Sequence, residues 1–169
     1  MATLDHMPTD TAAATTARYR QAAEAGDVEA LIATLAPDVV FHSPITDRAA
    51  FHGHDEMREL VEAVFETISD IHFFADVGEG RTRALFFRGR VGRQPVEESV
   101  RIELDQNNLI VDLTASFRPL PALTAIAATL VPKVIARRRG RLAGAIVKFA
   151  MTPIMLLTRL GDRAVPLLT

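Results

Sequence analysis

The chain has 169 residues, 49% of them hydrophobic and 24% charged, with a formal net charge of -2. That composition suits one globular domain with an appendage and excludes disordered, collagenous and low-complexity chains. Cysteine is absent, which removes disulfides, thiolate metal sites, redox pairs and a cysteine nucleophile.

The small net charge conceals a division. Residues 1–118 hold 11 Arg against 20 Asp and Glu, whereas residues 119–169 hold eight basic residues against one acid, Asp162. An acidic body with a basic tail points to a partner for that tail: the body itself, a second copy or another surface. Only Lys133 and Lys148 among the basic residues are lysine; with the many alanines, that bias is associated with high-GC bacterial genes. The opening stretch MATLDHMPTDTAAATTARYR has acids where a signal peptide has a basic segment and an apolar run, so a soluble, cytoplasmic protein is expected. The longest uncharged runs, Pro119 to Pro132 and Phe149 to Thr158, fall short of the ~20 apolar residues of a membrane-spanning helix.

In chain order, Thr9 or Asp10 is placed to cap a first helix through TAAATTARYRQAAEA. Gly26 ends it, since glycine takes the left-handed C-terminal conformation without strain. Asp27 caps a second helix, VEALIATLA, closed by Pro37. DVVFHSP reads as a short strand with Val39, Phe41 and Ser43 on one face and Val40 and His42 on the other. A loop to Gly53 leads into HDEMRELVEAVFETIS, where Met57, Leu60, Val61, Val64, Phe65 and Ile68 recur at helical spacing and acids crowd the first turn. Four strands follow, IHFFADV, RALFFRGRV, PVEESVRIELD and LIVDLTASF, separated by the turn sequences VGEG, GRQ and QNN. The glycines of FRGRVGRQ read as a hairpin. Within the third strand Val96, Glu98, Val100, Ile102 and Leu104 share an inward face, and Glu97, Ser99, Arg101 and Glu103 a solvated one. Helices followed by an antiparallel meander argue an α+β fold with helices against one face of a curved sheet.

The series RYRQAAEAGDVEALIATLAPDVVFHSP, then FHGHDEMRELV, then a four-strand meander ending in SFRP resembles the nuclear transport factor 2-like superfamily. Within it the likeness is to the SnoaL-like polyketide cyclases and ketosteroid isomerases, over about residues 10 to 120. The resemblance implies a cone (a cystatin-like roll) of curved antiparallel sheet wrapped on three N-terminal helices, with an apolar pocket at one end. Its lining would be Tyr19, Ser43, Leu60, Leu85, Phe87, Val100, Leu113, Ala115 and Phe117; the alternation of Leu85 with Phe87 and of Leu113, Ala115 and Phe117 fits. Such a pocket suits a flat, lipophilic small molecule of polyketide, steroid or isoprenoid type, without a cofactor. The isomerase chemistry of this family sets a helix tyrosine and a protonated strand aspartate on the developing oxyanion, while a second aspartate shuttles the proton. Tyr19 matches the tyrosine; Ser43 stands in place of the shuttle and Val100 in place of the oxyanion aspartate. A serine takes no proton from carbon near neutral pH without a base of its own, so steroid isomerisation by that route is not expected.

Two acids are open as replacements. Glu98, in the inward phase of its strand, is either a carboxyl facing the pocket, with burial raising its pKa, or the partner of an arginine at the rim. Asp112 alternates with Leu113 and falls outward. Tyr19 reads equally as a pocket residue or as a packed ring with its hydroxyl in water. In a cyclase-, isomerase- or hydrolase-type enzyme it is the candidate hydrogen-bond donor and Glu98 the candidate proton-transfer group. The alternative is a non-catalytic membrane-peripheral or scaffolding protein that works through its basic C-terminal helices. His52, His54 and Asp55 flank Gly53 in a loop with no second ligand pair, so capping and solvent exposure are read there rather than a metal site; His42 faces away from Ser43.

Residues 1–9 are read as a tail, 10–118 as the cone domain and 119–169 as a helical extension. Leu123, Ile126, Ala127, Leu130, Val131, Val134 and Ile135 make one apolar stripe, bent or restarted at Pro132; Gly140 permits a turn, and a second segment is interrupted by Pro153. Packing on the body, or on a second copy in a homodimer, is the first reading of the extension. An anionic membrane surface met by Arg137, Arg138, Arg139 and Arg141 is the second; nucleic acid is not expected, as Phe149 alone could stack on bases.

Overall fold

The computed structural model describes residues 12–48 and 50–164. The elements are α1 (Ala12–Ala25), α2 (Val28–Ile32), β1 (Leu35–His42), β2 (Ala50–His52), α3 (Gly53–Phe65), β3 (Ser69–Glu79), β4 (Thr82–Val91), β5 (Gln94–Leu104), β6 (Ile110–Arg118), α4 (Leu120–Arg139) and α5 (Arg141–Ala164). The proposed caps Thr9 and Asp10 lie outside the described residues. Gly26 ends α1 at a φ of 69°, and the Asp27 carboxylate accepts the Ala30 N–H at 3.0 Å at the head of α2.

That second helix is shorter than its sequence suggests. It stops at Ile32, and Leu35 and Ala36 already belong to β1. The cause is distant in sequence: β1 runs parallel to β6, Leu35 pairs with Ile110, and the Ile110 N–H donates to Thr34 O at 3.0 Å. A register shift follows between Leu35 and Val40, around Pro37, which has no N–H to give. The expected loop before Gly53 also contains a strand, β2, paired antiparallel with β1.

The six strands form one sheet in the order β2-β1-β6-β5-β4-β3, with β3 to β6 a continuous antiparallel meander. Along β5 every second residue from Val96 to Leu104 is buried, as the alternation predicts. Gly92 sits in the β4–β5 turn at a φ of 60°, but Gly89, also read as hairpin chemistry, lies inside β4. A Cβ there would come within 2.9 Å of Ile68 Cγ2 and 3.0 Å of Ser69 O, so the glycine admits the α3–β3 junction.

Helix α1 is fastened to β3 at two points. Thr16 Oγ1 donates to Asp76 at 2.7 Å, and the Phe73 N–H donates to Glu24 Oε1 at 2.7 Å, close to a register shift in the β3–β4 ladder. Asp76 is further held by Arg83, at 2.8 and 2.6 Å. Tyr19 lies on α1 between these fastenings.

The extension is a hairpin of two helices, each running through its proline, turned at Gly140. Helix α4 contacts β4, β5, β6 and α3, and its Ala122, Ala125 and Ile126 are wholly buried in the common core. Its basic end pairs with the acids of α3: Lys133 with Glu66, Arg137 with Glu62 and Glu66, Arg138 with Glu56 and Glu59. Helix α5 packs along α4, at a crossing so close that a Cβ on Gly144 would lie 2.6 Å from Pro132 O.

Candidate functional site

The geometry starts from β5. Glu97 and Glu98 are neighbours, so the pleat sends them to opposite faces. Outside, Glu97 collects Arg88 and Arg118, each at 3.2 Å. Inside, Glu98 is 9% exposed and takes no hydrogen bond or ion pair among the described residues. Both arginines stand opposite Glu97 on the outer face, so neither is placed to neutralise Glu98. Burial in apolar surroundings pushes the Glu98 carboxyl up to about 8, so at neutral pH it is mostly the uncharged acid.

The sheet builds an apolar frame around it. Across the ladders Glu98 pairs with Phe87 on β4 and Phe117 on β6; the adjoining row on the same face is Leu85, Val100 and Ala115. Phe87 stacks tilted on Phe73 at 5.3 Å, and Phe73 meets Tyr19 edge-on at 6.3 Å. Desolvation, and then the charge of Glu98, raise the Tyr19 hydroxyl above its ordinary range, so the two groups share one electrostatic environment. The Tyr19 hydroxyl has no hydrogen bond among the described residues either. Two O–H groups, both protonated at neutral pH and both without a protein partner, are what a buried ligand oxygen would accept from.

Of the remaining proposed lining residues, Leu60, Leu85, Phe87, Val100, Leu113 and Phe117 join Tyr19 in one apolar cluster, and Ala115 is buried beside Val100. Ser43 is not part of that cluster. It follows the end of β1, where its Oγ accepts the Ile45 N–H at 3.2 Å in a local turn. Asp112 is outward and bound to His42 at 2.8 Å and Arg101 at 3.5 Å. His54 contacts Leu35 O at 3.0 Å, the His52 N–H donates to Glu56 at 2.8 Å, and Asp55 lies in solvent near Arg58. Among the described residues no three His, Asp or Glu side chains converge as a metal site.

Two contributors were missed. Phe73 bridges Tyr19 to Phe87, and the alternation of Ile71, Phe73 and Ala75 would have found it. The other is α4, whose small buried residues close over the frame from the side of β4, β5 and β6; the signal for it is an apolar surface nearly all round the helix, where α5 has one apolar face. Two depressions lie elsewhere, one of about 430 Å³ on α5 and one of about 210 Å³ between Arg88, Glu97 and Arg118; neither is lined by Tyr19 or Glu98.

Residues 16–105 match the family model of the SnoaL-like domain. The chain belongs to that family. No curated protein matches it. Among solved structures, a steroid delta-isomerase from Pseudomonas aeruginosa is 28% identical with a TM-score of 0.65, covering 78% of this chain and 94% of its own. A protein with a cystatin-like fold from Silicibacter pomeroyi DSS-3 is also 28% identical at a TM-score of 0.65, over 73% of this chain and 84% of its own. A putative polyketide cyclase from Sinorhizobium meliloti, 20% identical at a TM-score of 0.53 over 61% of this chain and 94% of its own, shares the fold. The SnoaL-like match runs from α1 through β5, so α4 and α5 lie beyond it.

Proposed function

We propose that this SnoaL-like chain binds a lipophilic carbonyl compound inside the cone and polarises its oxygen with Tyr19 and protonated Glu98. The observation that carries this reading is a buried carboxyl without a partner, framed by Phe87 and Phe117 and sharing its surroundings with Tyr19. Val100 stands where the family's isomerases keep an oxyanion acid, and Glu98 is two residues away on the same strand face, so the acid function is displaced by one pleat repeat rather than lost. When an enol carbon of the same substrate adds to the carbonyl carbon, the C=O π pair moves to oxygen and takes the Glu98 proton. Tyr19 donates a second hydrogen bond to that oxygen as its charge develops, and the enol O–H, becoming a ketone, returns a proton to the Glu98 carboxylate. Ser43, occupied in its own turn, stands where the family keeps its proton shuttle, and among the described residues Glu98 is the one buried carboxyl, which favours cyclase- or hydrolase-type chemistry over steroid isomerisation. The likeness to a steroid delta-isomerase and a putative polyketide cyclase supports a flat, multi-ring or polyketide-like substrate.

The test is the ultraviolet absorption of a conjugated steroid or polyketide enone, titrated with protein. Hydrogen bonding to the carbonyl shifts the band to the red. The shift is expected with the natural chain, reduced in Tyr19→Phe and lost in Glu98→Leu. A shift of the same size in Glu98→Leu would contradict the assignment.

A further inference from the structure

We infer that α5 is an in-plane docking helix for an anionic lipid surface, an inference independent of the pocket reading. Its 24 residues make a rod about 36 Å long. Along it Leu142, Ile146, Phe149, Leu156, Leu157 and Leu160 are each at least half exposed, with Phe149 at 84%. Among the described residues nothing covers this apolar face, and a contiguous exposed apolar patch of this kind marks an interaction surface. The opposite face, with Gly144, Val147, Met151 and Met155, is the one turned to α4.

Charge decides the occupant. At about 100° per residue, Arg141, Lys148, Arg159 and Arg163 fall within an arc of about 60°, a basic stripe bordering the apolar face along the whole helix. The sole acid of the segment, Asp162, lies toward the α4 side. Arg141, Lys148 and Arg163 have no ion-pair partner among the described residues, whereas Lys133, Arg137 and Arg138 of α4 pair with acids of α3 and its C-terminal Glu66. A second copy answers this pattern badly. In an antiparallel two-fold pair the basic stripes fall on the same side and repel; in a parallel pair each meets the partner's uncharged flank of Ala150, Ile154 and Gly161. Anionic headgroups beside acyl chains supply both requirements at once. A depression of about 430 Å³ on this face, floored by Phe149, Pro153 and Leu156 with Lys148 at its edge, has the apolar floor and cationic rim that an acyl chain and its headgroup need. By length and composition α4 and α5 could each cross a membrane. The basic stripe over the length of α5, and the packing of α5 along α4, favour lying in the interface over spanning it.

The experiment is flotation of the full chain with vesicles of phosphatidylcholine alone and with about a quarter phosphatidylglycerol. Binding to the anionic vesicles is expected to be at least tenfold tighter and to weaken as salt rises from about 0.05 to about 0.5 M. Lys148→Gln and Arg163→Gln should each weaken it about fivefold, and Phe149→Glu with Leu157→Glu should abolish it. All four positions are exposed, so unchanged circular dichroism and melting are expected of each variant. Equal binding to both vesicle types, or flotation surviving the double glutamate variant, overturns the inference. So does a chain that ignores both vesicles, whether monomeric or running as a dimer that the glutamates dissociate; in the dimer case the face belongs to a second copy.

Discussion

The inner face of β5 and the outer face of α5 break the same rule in opposite directions. Among the described residues, a carboxyl is buried at β5 with no partner and a row of leucines, isoleucine and phenylalanine is exposed at α5 with no cover. Helix α4 lies between them with alanine and isoleucine inside and Arg137 and Arg138 paired outside. Folding alone rewards neither exception, since a buried carboxyl costs stability and a bare apolar face costs solubility. The comparison teaches that the two places a purely structural sequence would have corrected are the two where a ligand or a surface gives the residue a use.

The largest expected effect lies at the inner exception. Glu98→Gln keeps size and hydrogen bonding but has no proton to transfer, so turnover should drop about a hundredfold or more while binding stays within a few-fold. Steady-state kinetics beside equilibrium titration separate the two; full activity in the variant would remove the proposed role. Ile126→Ala on α4 should cost about 2–5 kcal/mol by chemical denaturation, because a wholly buried side chain leaves a cavity. Phe149→Ala on α5 should cost less than about 0.5 kcal/mol. Comparable losses at both would erase the contrast between the two helices.

Stability against pH sharpens the same contrast. In the unfolded chain a glutamate releases its proton near 4.5, whereas folded Glu98 keeps it to about 8. Between those values the folded state binds more protons, so stability falls as pH rises, at up to about 1.4 kcal/mol per pH unit. Below 4.5 both states are protonated and the residue costs nothing. Glu98→Gln should therefore match the natural chain at pH 4 and exceed it in stability at pH 8; parallel curves would mean that the carboxyl is solvated. Glu24→Ala is expected to have an effect smaller than that at Ile126 and larger than that at Phe149. It frees the Phe73 N–H and loosens Tyr19 over Phe73, for about 1 kcal/mol of stability and a weaker shift of the bound enone.

Much of this was legible in the residues. The period-2 alternation of the meander gave the inward phase of Glu98, and the ordered resemblance gave the cone. What escaped was decided over long distances. The parallel pairing of β1 with β6 shortens α2 and turns Leu35 and Ala36 into strand, against their helical neighbours. Whether Glu98 would meet an arginine depended on the register, which sets Arg88 and Arg118 opposite Glu97 on the outer face and Phe87 and Phe117 opposite Glu98. The two extension helices are similarly apolar, yet 44% of the apolar stretch of α4 is buried and 6% of that of α5. The local pattern does separate them: α4 is apolar nearly all round, as a buried helix is, whereas α5 gathers its apolar residues on one face.

The most direct test is a carbon-13 titration of the Glu98 side-chain carboxyl, assigned by its disappearance in Glu98→Gln. A midpoint near pH 8 that moves when an enone binds is the expected result; a midpoint near 4.5, unmoved by any carbonyl ligand, would contradict the account.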